Sequence, residues 1–385
     1  MKSLEDISLF RSLNTPCYVY DMEILDRTLE ALRSASSKYD IRVNYALKAN
    51  SETPVLQRIA AAGFGADCVS GNEVIRAGGC GFGKAGIFFA GVGKTDREII
   101  QALDCGVSYF VVESLQELEV LDSIASRRAA VAKVLLRINP EVDAHTHKFI
   151  TTGMPANKFG IAMADLGNAL ELLKKLPGVR MCGLHSHIGS QITDLEPFAR
   201  QCVQMNGLVK KVLDEGFEVS CLSLGGGLGV DYENPDANPV PDFDSWLGML
   251  DSHLERPPGM QVFVEPGRSV VAQCGTLISR VLFVKRNPTV NFLILDAGMN
   301  DLLRPALYGA AHKIENLSAL QRGQTELEKY EVVGPVCESS DVFADGCLLP
   351  VATRGDFVAI RSAGAYGATM SSRYNLKDLA ETLYV

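Results

Sequence analysis

This 385-residue chain has no apolar run approaching the ~20 residues that a membrane-spanning helix requires. Its opening segment, MKSLEDISLF, also lacks the basic-then-apolar layout of a secretory leader. The expectation is a cytoplasmic protein with no membrane partner. An excess of positive charge is missing as well. The formal net charge is −9, which argues against a nucleic-acid partner, because such a partner selects a basic face. Among the ten cysteines there is no CxxC pair and no tight spacing. In a chain of this size that reads as reduced thiols, mostly core fillers. Internal repeats and low-complexity linkers are absent too. With 47% hydrophobic and 22% charged residues the composition is that of an ordinary soluble protein. The length suits one large barrel or two domains.

What the sequence does have is alternation. Short β-rich runs at 43–47, 66–69, 87–90, 108–112, 134–138, 182–187, 221–224 and 261–264 are separated by amphipathic segments. One of these, SLQELEVLDSIASR, is apolar at roughly i, i+3, i+4 and i+7, the period of a helix with one buried face. Eight strands with crossover helices predict a (β/α)8 TIM-type barrel. A doubly wound sheet would carry a glycine-rich phosphate loop after its first strand, and none follows the first strand here. Beyond about residue 270 the pattern changes. CGTLISRVLFVKR, NFLILDAG, KYEVVGPVCES and DFVAIRSAGAY read as strands joined by turns, which predicts a second, mostly antiparallel β domain. TPCYVYD at 15–21 is expected to add a strand to it. The division expected is a barrel over 23–269 and a β domain built from 1–22 and 270–385. ENPDANPVPD (233–242) reads as a surface loop.

Several motifs fall at positions where such a fold does chemistry. VNYALKAN (43–50) ends a buried run on Lys48. A lysine there either snorkels to solvent or offers an amine that can form a Schiff base with a carbonyl compound. LSLGGGLG (222–229) follows the seventh run and FVEPGRS (263–269) the eighth. Glycine lets backbone amides approach an anion closely, and barrels commonly build phosphate sites after strands seven and eight. His185 and His187 alternate on the sixth run and so should face one side. His145 and His147 form a second such pair in a loop, and two pairs raise the alternative of a zinc site. HIGS instead suggests a histidine beside a flat ligand, with Gly189 and Ser190 as phosphate donors. Arg304, Tyr308, Cys337, Glu338, Asp341 and Tyr366 crowd the loops of the β region, where polar residues serve chemistry more than packing. Cys337 taken alone could equally be a buried small hydrophobe.

NYALKAN, HSHIGSQI, LGGGLG, EPGR, DAGMNDLLRPALY, GPVCESSD and GAYGATMSSRYN occur in this order from about residue 15 to the end. Together they closely resemble the meso-diaminopimelate decarboxylases, pyridoxal-phosphate enzymes with an alanine-racemase-like barrel. The resemblance implies decarboxylation of meso-2,6-diaminopimelate to L-lysine, the last step of lysine biosynthesis, with pyridoxal 5'-phosphate as cofactor and no metal. It implies that Lys48 carries the cofactor as a Schiff base and that His187 stacks on its ring. Asp67, Ser190, Gly226, Gly227, Glu265, Gly267, Arg268 and Tyr366 are the other implied cofactor-binding residues, with Glu265 at the pyridine nitrogen. Cys337 is implied as proton donor. Arg268, Arg304, Tyr308, Glu338 and Tyr366 are the implied substrate contacts, since the far end of diaminopimelate carries both a carboxylate and an ammonium. A homodimer with shared active sites is implied as well, the β domain supplying substrate and interface residues. Ser186, where cysteine is frequent, and Ala368-Thr369 depart slightly from the common pattern. The competing readings are a pyridoxal-phosphate decarboxylase for another basic amino acid or carboxynorspermidine, and a zinc-dependent barrel hydrolase. A catalytically silent homologue is disfavoured by the presence of both Lys48 and Cys337.

Overall fold

The computed structural model describes residues 7–142 and 158–385. The chain divides into two compact units. One comprises Leu29–Gly229 and Asp242–Gly267, and the other the chain up to Thr28, Val230–Pro241 and Arg268–Val385.

In the first unit eight parallel strands follow one another round a ring: Ile41–Ala46, Gly65–Cys68, Ile87–Phe89, Tyr109–Val112, Ala132–Asn139, Val179–His185, Cys221–Ser223 and Gln261–Val264. The last closes on the first through Val262↔Ile41 and Val264↔Val43. All eight runs expected from the sequence are strands of this barrel. They are apolar along most of their length because a parallel barrel is packed on both faces, and only residues near the strand starts, such as Arg42, Lys133, Arg180 and Gln261, are exposed. Phe88, Ala90, Val111, Leu135, Cys182, Cys221 and Phe263 fill part of the interior, with the Phe88 and Phe263 rings 4.9 Å apart. The crossover helices begin where the sequence supplies a cap. Thr95 and Glu98 form a reciprocal capping box at Asp96–Cys105, and Ser114 accepts from the Glu117 amide at the start of Leu115–Arg127. Along Leu115–Arg127, Leu118, Leu121, Ile124 and Ala125 are buried, as the apolar spacing requires.

The sixth strand ends at His185, so His187 lies in the loop beyond it and does not share a strand face with His185. Lys48 is likewise past its strand, on the short 3-10 turn Leu47–Ala49. His145 and His147 lie outside the described residues.

The second unit is mostly antiparallel. Gly275–Arg286 is its longest strand and bends at a register shift between Val281 and Phe283. Its first half pairs with Phe357–Ile360 and Cys17–Tyr20, and its second half with Asn291–Leu295. Cys17–Tyr20 is the added strand expected from TPCYVYD, held by Tyr18↔Leu277 and its neighbours. Three strands lie outside the sequence expectation: Ile314–Asn316, Val342–Pro350 and Glu381–Tyr384. The first is only three residues long, and the second contains Gly346 at φ +64° and Asp345, which mask its strand character. Most of the 233–242 segment belongs to this unit, where Asp236 pairs with Arg361 and Lys313.

Candidate active site

In the barrel unit the loops after the strands gather the chemistry. The turn Leu47–Ala49 buries Leu47 and Ala49 and leaves Lys48 exposed. The Asn50 amide donates to the Leu47 carbonyl, and Tyr45 Oη–H donates to the Asn50 carbonyl at 2.9 Å, which fixes the turn. The Lys48 ammonium acts on Asp67, Glu73, Glu265 and His187, whose ionisation it shifts by its charge.

Strand register explains the next group. His185 lies opposite Ser223, and Ser223 opposite Phe263. Glu265 follows just past the end of that strand at Val264. The Ser223 hydroxyl donates to Glu265 Oε1 at 2.6 Å, and His185 Nε2 lies 2.9 Å from Oε2. All three residues are buried. Burial alone would raise the Glu265 carboxyl, but His185, Ser223 and the charge of Lys48 outweigh it and hold Glu265 below its ordinary value. Asp67, opposite Ala46 at the end of the first strand, behaves in the contrary way. Burial and then the charge of Glu265 push it up to about 7, against the pull of Lys48, and its Oδ1 has no hydrogen-bond partner among the described residues. His187, in turn, is held well below its ordinary value by burial, then by the charges of Lys48, Arg137 and His185, so it stands neutral.

The glycine loops after the sixth to eighth strands interlock. Ile192 N–H donates to the Gly227 carbonyl at 2.9 Å, and Glu265 N–H to the Gly225 carbonyl at 2.8 Å. A Cβ at Gly226 would lie 2.2 Å from the Glu265 carbonyl oxygen. One at Gly227, where φ is +120°, would lie 2.8 Å from that of Gly189. Neither the Gly226 nor the Gly227 amide donates to another group among the described residues. Gly267 packs against the Lys48 turn, its missing Cβ leaving room for Ala46 and Ala49. Ser190 is partly exposed on the loop after the sixth strand. Lys48, Asp67, His187, Ser190, Gly226, Gly227, Glu265 and Gly267 therefore all belong to the strand-end loops and strand ends of one unit.

In the other unit Arg268 and Arg304 are both buried. Arg268 Nη1 donates to Tyr232 Oη at 2.7 Å, and its guanidinium lies over the Tyr366 ring at 4.9 Å. Arg304 lies over the Tyr232 ring at 4.5 Å and donates from Nη1 to His312 Nε2 at 2.7 Å. No carboxylate pairs with Arg304 among the described residues, and its Nε has no partner. Burial, relieved by Tyr232 and reinforced by Arg268, lowers its affinity for its proton. Tyr308 adds to the field on both arginines. Tyr366 has a left-handed backbone, φ +55°, a costly state for a non-glycine residue that clusters at functional sites. Tyr232 and His312 were not among the sequence candidates. The only signal was an aromatic residue shortly after LGGGLG and a histidine just past the RPALY motif.

Cys337 and Glu338 form a separate, exposed pair. The Cys337 amide donates to Asn375 Oδ1 at 3.2 Å, and Tyr374 Oη–H donates to the Glu338 carboxylate. Cys337 is the exposed member of ten free cysteines, seven of which are buried. It is not core filling. Asp341, by contrast, is buried and accepts from the Met299 and Val336 amides at 2.6 and 2.7 Å, so it braces these loops. Among the described residues no three or more His, Cys, Asp or Glu side chains are grouped to hold a metal ion, and His185 is engaged with Glu265.

Comparison with known proteins shows the family. The family described as pyridoxal-dependent decarboxylase, pyridoxal binding domain, matches residues 24–272. A diaminopimelate decarboxylase of Bacteroides thetaiotaomicron is 47% identical over 380 residues, covering 98% of this chain and 97% of that one. One of Neisseria meningitidis is 40% identical over 377 residues, covering 98% and 91%. The crystal structure of the Helicobacter pylori diaminopimelate decarboxylase complexed with L-lysine superposes with a TM-score of 0.92 at 37% identity, covering 98% of this chain and 93% of that one.

Proposed function

This chain belongs to the pyridoxal-dependent decarboxylases, and from that membership we propose that it converts meso-diaminopimelate to L-lysine and carbon dioxide, the last step of lysine biosynthesis. Pyridoxal phosphate, when bound, supplies the sink for the electron pair left behind as carbon dioxide departs. The residues present fit that group. Two glycine amides without an acceptor among the described residues, in a cradle that a Cβ at 226 would fill, suit a phosphate. Lys48 would hold the cofactor through its amine, and Ser190, Gly226, Gly227 and Gly267 would border the phosphate. His187, neutral, would lie against the ring. Glu265, kept ionised by His185 and Ser223, would keep the ring nitrogen protonated, with Asp67 buried close to the same charges. Arg268 and Tyr366 are proposed to touch both cofactor and substrate.

The substrate assignment is carried by one observation: a buried guanidinium, Arg304, without a carboxylate partner among the described residues. A buried charge is costly unless paired. The second amino-acid end of diaminopimelate brings the carboxylate that would pair with Arg304, bordered by Arg268, Tyr308 and Tyr366. Ornithine, lysine and arginine bring a cation there, which two arginines would repel. Glu338 would take the distal ammonium. Cys337 would deliver the proton from its Sγ to the carbon that has lost its carboxylate.

A homodimer with shared sites and a cytoplasmic location complete the proposal. Support for the first is the exposure of Cys337 and Glu338, with Leu376 next to Tyr374 and Asn375 and 95% exposed. A partner chain would cover that apolar side chain. Ten free thiols accord with the second. Among the described residues no helix is long and apolar enough to cross a membrane.

Replacing Arg304 with Ala tests the substrate reading. A loss of about 2–5 kcal/mol in transition-state binding of diaminopimelate is expected, the cost of leaving a buried charged partner unpaired. A fall in kcat/KM of less than about tenfold would remove Arg304 from the site.

A further inference from the structure

His312 lies eight residues after Arg304, beyond the short helix Arg304–Tyr308 and the left-handed Gly309 that ends it, and it is buried. Its Nδ1 is 2.8 Å from the carbonyl oxygen of Arg361. A carbonyl oxygen only accepts, so Nδ1 carries the proton and donates it there. In the neutral ring Nε2 is then left with a lone pair, and Arg304 Nη1 donates to it at 2.7 Å. The tautomer is thus fixed by an anchor that is itself fixed. Arg361 is tied by its guanidinium to Asp236 and Glu315, at 2.7 and 2.6 Å, and by its amide to the Lys313 carbonyl. The acids of this neighbourhood are engaged with Arg361 and Lys313. Among the described residues, the groups that meet the Arg304 guanidinium, the Tyr232 ring face and the imidazole, are uncharged.

The choice of residue matters electrostatically. A carboxylate at 312 could accept the same hydrogen bond, but it would cancel the charge of Arg304 and repel an incoming anion. A doubly protonated imidazole would lose the lone pair and set two cations together. Burial, then the charge of Arg304, holds His312 down to about 3, so the ring stays neutral wherever the enzyme works. We propose that His312 is a positioning residue for substrate selection: a neutral acceptor that orients the Arg304 guanidinium while leaving its full positive charge for a carboxylate of the ligand. This rests on the reading of Arg304 as the distal carboxylate's partner. His312 itself touches neither substrate nor cofactor in this scheme.

The test compares four variants of the holoenzyme with meso-diaminopimelate: His312→Gln, His312→Glu, His312→Leu and Arg304→Ala. Gln offers a neutral acceptor and should keep KM within about threefold of wild type, under 1 kcal/mol. Glu offers an acceptor with a charge, and Leu offers none. Both should raise KM by about tenfold or more, close to 1.4 kcal/mol, with kcat changed much less and the visible absorbance of the bound cofactor retained. Equal KM values for Gln and Glu would overturn the proposal. If the Glu protein does not fold, equal KM values for Gln and Leu would overturn it just as directly, because packing alone would then explain the position. Arg304→Ala separates the two levels. If that variant keeps its kcat/KM, the substrate reading has failed. If it loses kcat/KM while Gln and Glu at 312 are alike, only the role of His312 has failed.

Discussion

Asp67 and Glu265 are both buried carboxyls, and their surroundings push them in opposite directions. Glu265 has a hydroxyl, an imidazole and a nearby ammonium; Asp67 has the charge of Glu265 and an oxygen with no partner among the described residues. A raised carboxyl pKa means that the folded chain keeps a proton that the unfolded chain has lost. Its contribution is therefore complete below the unfolded value near 3.9, and stability is lost as pH rises towards the folded value of about 7. In cofactor-free protein, Asp67→Asn should remove this loss. The stability of the variant relative to wild type, followed by thermal melting, should climb between about pH 4 and pH 7, by about 1.4 kcal/mol for each pH step of one. Parallel melting curves across that range would contradict the assignment. Some residues were legible and some were not. Lys48 and Glu265 stand in motifs that resemble a known family. His185 and Ser223 lie within sequence motifs, but their shared role on Glu265 shows only in the fold; Tyr232 and His312 stand outside every motif and gain meaning only through the arginines they meet.

At the scale of elements, the eight barrel strands were legible because packing on both faces makes them short continuous apolar runs. The edge elements of the β unit were not. Val342–Pro350 mixes buried and exposed residues without strict alternation, and Glu381–Tyr384 pairs in parallel with a strand some 360 residues earlier, which no local pattern encodes. Strand ends were read too generously, placing Lys48 and His187 on strands when they stand on the turns beyond. That displacement suits function, since loops are free to aim side chains that strands must pack. The glycine loop makes an element-scale test. In Gly226→Ala the new methyl meets backbone, the carbonyl of Glu265, so the loop or Glu265 must shift. The variant should lose cofactor affinity, seen as visible absorbance at limiting pyridoxal phosphate, while the fold loses only about 1–3 kcal/mol, typical of overpacking. Unchanged cofactor binding would show that this loop is not the cradle.

For the whole molecule, the proposal of shared sites in a homodimer makes Lys48 and Cys337 complementary between chains. Lys48→Ala and Cys337→Ala proteins should each be inactive. Mixed under conditions that let subunits exchange, they should form dimers with one doubly damaged site and one intact site, so activity returns to at most about half of wild type per mixed dimer. Demonstrated exchange without any recovery would contradict shared sites. The division of chemistry that this scheme requires matches what each unit carries: an amine, a fixed carboxylate and glycine amides in the barrel unit, and two buried arginines and an exposed thiol in the other. The most direct measurement is product analysis of purified protein with pyridoxal phosphate, given meso-diaminopimelate, L-ornithine, L-lysine and L-arginine in separate reactions. Release of carbon dioxide and L-lysine from meso-diaminopimelate, with little turnover of the other three, is the expected result. Comparable or faster decarboxylation of ornithine, lysine or arginine would contradict it.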